Sequence, residues 1–149
     1  MRRFLSALLL CVLSAGTYAE DMLMIRSRAA FEESMLLLQQ AISEQGYALS
    51  RVQRVDIGLS EFGYKTDKYR VVFFGKPEEI RDLSARYPEL IPYLPLQIAI
   101  FAEADETLLV AANPVQLSAA YADPELDKRF AQWEQDMRAI LEKVRKGGD

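Results

Sequence analysis

A chain of 149 residues, half of them hydrophobic, is long enough for one domain with a substantial core. Its 22 acids against 18 Lys and Arg give a net charge of −4, and without a basic stripe such a chain repels phosphate, which sets nucleic acid aside. There is no histidine and one cysteine, Cys11, so disulfides, Cys/His zinc sites and imidazole bases fall away together.

Met1-Arg2-Arg3 is basic, Phe4–Leu13 is apolar apart from Ser6, and small residues lead to Tyr18-Ala19 before Glu20-Asp21. This is the layout of a secretory signal peptide over residues 1–19, cut after Ala19, with a periplasmic or secreted destination. The apolar run is half of the roughly 20 residues a spanning helix needs, so an uncleaved anchor is the weaker reading. Leu10 before Cys11 lacks the small side chain of a lipoprotein signal. Losing residues 1–19 removes two Arg and no acid, taking the net charge from −4 to −6, and removes Cys11 as well. Residues 20–149 are then one α+β domain held by packing alone.

Met22–Arg26 is short and apolar and predicts a first strand. Ser27 is placed to cap the next helix, whose stripe runs through Phe31, Met35, Leu38 and Ile42 and stops at Gly46. Tyr47–Ile57 predicts a strand that Arg51 and Gln53 interrupt, as at a bulge. Gly58–Lys68, with two glycines and mixed charges, predicts a loop. Tyr69–Phe74 is the most apolar run so far and predicts a central strand buried on both faces. Pro77 opens a short helix that ends before Pro88. Leu96–Glu103 and Glu106–Ala112 flank Ala104-Asp105 as a hairpin. Asn113-Pro114 starts a short helix to Tyr121, and Asp123-Pro124 starts the last one, over about 124–146. Leu126, Phe130, Trp133, Met137, Ile140 and Val144 form its seam, for packing on the domain's own sheet. The order is β-α-β-β-α-β-β-α-α. It predicts a two-layer α+β fold with a mixed, mostly antiparallel sheet of about five strands and helices packed on it.

Little in this pattern carries chemistry. Gly75-Lys76-Pro77 resembles an anion cradle at a helix start, but Glu78 and Glu79 already load that dipole with negative charge. It reads as a structural corner with Lys76 solvated. Arg51, Arg54, Asp56, Glu61, Lys65 and Asp67 read as a solvated rim, with charged-ligand binding the sharper alternative. Glu103–Glu106 lacks the glycine and ligand spacing of a calcium loop. Met22, Met24, Met35 and Met137 have no histidine or Cys-x-x-Cys-His partner for haem or copper. No metal site and no cofactor are expected. Tyr64, Tyr69, Phe73, Phe74, Tyr93 and Phe101 place aromatics around the central strands, for core, pocket or a dimer face.

Val71-Val72-Phe73-Phe74-Gly75-Lys76-Pro77, Leu94-Pro95-Leu96 and Asn113-Pro114, in that order and spacing, resemble the domain-of-unknown-function 302 family over Met22–Tyr121. The resemblance implies a compact α+β domain, a homodimer and no established activity. Lys76 stands where many relatives have Asn, Tyr93 where they have Asp, and Arg54 near a position where some carry His. A metal role through that histidine is therefore not carried over to this chain.

The leading reading is an extracytoplasmic, non-catalytic, homodimeric domain that binds a partner protein or a small ligand, with no membrane span after cleavage. Its candidate binding residues are Arg54, Asp56, Tyr64, Lys76 and Asn113, with no catalytic residue assigned. One alternative, by analogy with relatives, is an accessory protein of a periplasmic electron-transfer or sulfur-oxidation system. The other is a hydrolase-type enzyme using Asp56, Glu61 or Lys76.

Overall fold

The computed structural model describes residues 21–149. The expected signal peptide, its cut after Ala19 and Cys11 lie outside the described residues. The strands are β1 (Met22–Ser27), β2 (Ala48–Arg54), β3 (Tyr69–Gly75), β4 (Leu96–Glu103) and β5 (Glu106–Ala112). The helices are α1 (Phe31–Glu44), α2 (Asp56–Ser60), α3 (Pro77–Arg86), α4 (Ser118–Tyr121) and α5 (Pro124–Gly147), with 3-10 turns at Pro88–Tyr93 and Pro114–Leu117.

The five strands form one sheet in the order β1-β5-β4-β3-β2, giving the expected two-layer α+β class. Every pairing is antiparallel, so no parallel pair enters the sheet. The α1 connection does join strands of like direction, but it carries the chain across the whole sheet and leaves β1 and β2 at opposite edges.

One face of this sheet is the core. Leu23, Leu109, Ile98, Ile100, Val72 and Phe74 bury against side chains of α1 and α5. Helix α5 starts where the sequence puts it: Asp123 accepts from the amides of Glu125 and Leu126, and Pro124 occupies the first turn. Its seam from Leu126 to Val144 is wholly buried, so α5 packs on its own sheet.

Helix α1 departs from expectation at its start. It begins at Phe31 with no side-chain cap. Ser27 is instead buried at the end of β1, where its Oγ accepts from the Ser34 hydroxyl at 3.0 Å and the Ala29 amide at 3.3 Å. It fastens the strand-to-helix corner and does not cap the helix. Strand β2 shifts register between Leu49 and Arg51, as its interrupted pattern predicts. The strand ends at Arg54 and not at Ile57: α2 takes Asp56 and Ile57 from the stretch read as strand and residues 58–60 from the stretch read as loop, tolerating Gly58 at the usual cost of a helical glycine.

Strand β3 lies inside the sheet, between β4 and β2, but is buried on one face only. Its register with β4, and that of β4 with β5, puts Val71, Phe73, Ala99, Phe101 and Val110 on the opposite, outer face. There they are half-buried, and Met22 and Met24 beside them are 48% and 55% exposed.

Phe130 is fully buried between the sheet and Trp133, with the two ring centroids 5.7 Å apart. Phe130→Ala should cost about 3–5 kcal/mol in urea unfolding. A loss below about 1 kcal/mol would contradict the clamping of α5 on the sheet.

Candidate functional site

The five candidate residues fall in four places. Arg54 and Asp56 do meet. Asp56 is only 3% exposed, with Arg54 Nη2 at 2.5 Å and Arg70 Nη1 at 2.8 Å, while Arg70 lies over the Phe31 ring. Asp56 is thus the buried anchor of α2 and not part of a solvated rim. The Arg54 hydrogen bond outweighs burial and holds its carboxyl below the ordinary aspartate value. A carboxylate so held is a poor proton acceptor. Tyr64 stands about half-exposed in the loop after α2.

Lys76 is not simply solvated. Its Nζ lies 3.9 Å from Asp136 Oδ2 and 4.5 Å from the centre of the Tyr47 ring. Asp136, on α5, is buried and accepts from Tyr47 Oη at 2.6 Å, Gln132 Nε2 at 2.9 Å and Gln45 Nε2 at 3.2 Å. Burial pushes the Asp136 carboxyl up, but those three donors and Lys76 together leave it below its ordinary value. Burial and the same carboxylate push the Tyr47 hydroxyl up, so it stays a donor. Gly75-Lys76-Pro77 is therefore a corner tied to α5. Among the described residues, Asp56, Glu61 and Lys76 line neither the hollow at the strand ends nor the hollows on the outer face and beside Phe31.

Asn113 leads to the concave site. It caps the turn after β5 by accepting from Val115 N at 3.1 Å, and its Nδ2 donates to Glu134 on α5 at 3.0 Å. Its backbone N–H donates to Asp21 O at 3.0 Å, joining the start of β1 to the end of β5. Beside it opens a cavity of about 250 Å³ at the strand ends. Phe73 comes from β3, Leu94-Pro95-Leu96 from the start of β4, Asn113-Pro114 from the end of β5, and Trp133 and Met137 from α5. The three stretches that mark the fold thus converge on one hollow. Sequence reasoning named Asn113 but not Gln97, Trp133 or Met137. Trp133 and Met137 read correctly as seam residues, and no local signal marks a seam residue that also faces a cavity.

The cavity adjoins the open face of the sheet. Gln97 and Ala112 line it and also line a shallower hollow on the outer face with Met22, Tyr69, Val71 and Phe101. Among the described residues, no group of three Asp, Glu, His or Cys side chains is placed to hold a metal ion.

Fold and site define a small α+β domain with helices on one side of its sheet, an open apolar face on the other and a hollow at the strand ends. The chain belongs to the family described as domain of unknown function DUF302, whose model matches residues 24–144. Its structure is similar to the crystal structure of an uncharacterized conserved DUF302 protein from Bacillus stearothermophilus. The TM-score is 0.74 at 19% identity, over 85% of this chain and 100% of that one. At that identity the likeness speaks to the fold. No match is found among curated proteins.

The depressed pKa values of Asp56 and Asp136 carry a pH dependence with a definite sign. Their stabilisation is present in full above the unfolded-state value of about 3.9 and is lost as pH falls through the lower folded-state values. Thermal unfolding should therefore show Tm level in these two groups between neutrality and about pH 5, then falling below about pH 4. Tyr47→Phe should cost about 1–3 kcal/mol at pH 7, the usual worth of a hydrogen bond to a charged group. An unchanged stability in that variant would contradict the tie through Asp136.

Proposed function

We propose that the mature chain, residues 20–149, is an extracytoplasmic, non-catalytic domain that forms a homodimer through its outer sheet face and binds a partner protein or small ligand. The observation that carries this reading is β3. Apart from Arg70 on the covered side, its run Tyr69–Phe74 is apolar on both sides, while the described residues bury only one of them. Apolar area left in water forgoes roughly 25 cal/mol per Å², and a contiguous patch of this kind marks an interaction surface. A second copy offers the same patch, and two such faces stack as sheets do, about 10 Å apart.

The seam of α5 is used up inside the domain, whereas the outer face of the sheet keeps apolar side chains at its surface. Charged groups fringe it: Arg26 pairs with Glu103 and Glu106 where the β4–β5 hairpin turns. An apolar centre with a polar rim is the usual anatomy of a protein interface. The destination rests on the pattern of residues 1–19. No helix among the described residues is long and apolar enough to cross a membrane.

Sedimentation equilibrium of residues 20–149 should give a dimer, and Val110→Glu, on the outer face, should give a monomer with unchanged far-UV circular dichroism. A monomeric parent at high protein concentration, or a dimer that survives Val110→Glu, would overturn the reading.

A further inference from the structure

We infer that the hollow at the strand ends binds a small, ring-bearing organic molecule that is neutral or positively charged, and that it discriminates against carboxylates and phosphates. The inference deepens the proposed binding role and rests on it.

Size comes first. The hollow holds about 250 Å³, against the roughly 150 Å³ of an apolar cavity that takes benzene. One substituted ring or a compact bicycle fits.

The walls come next. Phe73, Leu94, Leu117, Met137 and the Trp133 ring present apolar and aromatic surface. The Trp133 Nε1 is already spent, donating to Glu79 at 3.1 Å, so the indole contributes its ring and not its N–H. Pro92, Pro95 and Pro114 stiffen the three backbone segments that meet here, so little ordering remains to be done on binding.

Charge decides the class. Among the described residues that line the hollow there is no Arg or Lys, and the only charged side chain is Asp21. Behind the wall, Asn113 and Trp133 hand on to Glu134 and Glu79, which are occupied by Arg138 and Arg129. A carboxylate or phosphate would be desolvated here with no counter-ion and one like charge. An ammonium would meet Asp21 and a wall that includes the aromatic side chains of Phe73 and Tyr93. Gln97, at the exposed rim, can serve a hydroxyl or an amine through its side-chain amide.

Trp133 is the only tryptophan of the chain and sits in the wall, so its emission reports the site directly. The probes are 2-phenylethylamine, 2-phenylethanol and phenylacetate, which share a ring and differ in charge. The amine and the alcohol should shift the emission saturably, with phenylacetate at least about ten-fold weaker than either. Leu117→Phe, which fills the hollow, should abolish the response, and Asp21→Asn should narrow the gap between amine and acid. The inference is overturned if neither amine nor alcohol titrates, if phenylacetate binds within ten-fold of them, or if Leu117→Phe still binds. It is also overturned if Asp21→Asn leaves the gap unchanged. The same titration on Val110→Glu separates the two proposals. Binding retained by the monomeric variant makes the site independent of the dimer; a monomeric parent that binds removes the dimer and keeps the site, whereas a dimeric parent deaf to all three probes removes the site alone.

Discussion

Helix α5 lays an apolar seam from Leu126 to Val144 along one side of a five-stranded antiparallel sheet, and the remaining architecture follows from that contact. With a single cysteine in the chain no internal disulfide can form, so burial against the sheet and α1 must offset the chain's conformational entropy. The same packing decides what is left over. Once α1 and α5 share one face, the other face, with Val71, Phe73, Ala99, Phe101 and Val110 on its interior strands, meets no helix among the described residues.

The polar groups near that contact work as ties. Asp136 gathers Tyr47, Gln45 and Gln132 from two helices and the start of β2, with Lys76 close by from the β3–α3 corner. A buried carboxylate with three donors is satisfied, and no buried side-chain polar atom among the described residues lacks a partner. Asp56 plays the matching part at the far end of β2. Both acids spend their charge on holding elements together.

What was legible in the sequence was local. Asn113-Pro114 and Asp123-Pro124 announce helix starts because a cap and its target lie two or three residues apart. The seam of α5 is legible because its period is internal to the helix. What was illegible depends on distance along the chain. Asp56 looked like rim because one of its partners, Arg70, is 14 residues away. Lys76 looked solvated because Asp136 arrives from α5. The hollow was half legible: its motifs were singled out as marks of architecture, but their convergence with Trp133 exists only after folding. Val71 and Phe73 are legible as apolar and their cover is not, since sequence records that a face is apolar and not what lies against it.

The bulge in β2 has a consequence for how copies of this domain can meet. An edge strand that keeps perfect register invites a neighbour to extend its ladder, and each addition leaves a new edge, so growth has no natural end. Here β2 slips between Leu49 and Arg51 and is exposed along its length, with Arg51 and Arg54 beside the slip. That spoils the template on this side of the sheet. Contact through a face is different in kind, because a face once covered is used up, and the assembly is finite by construction.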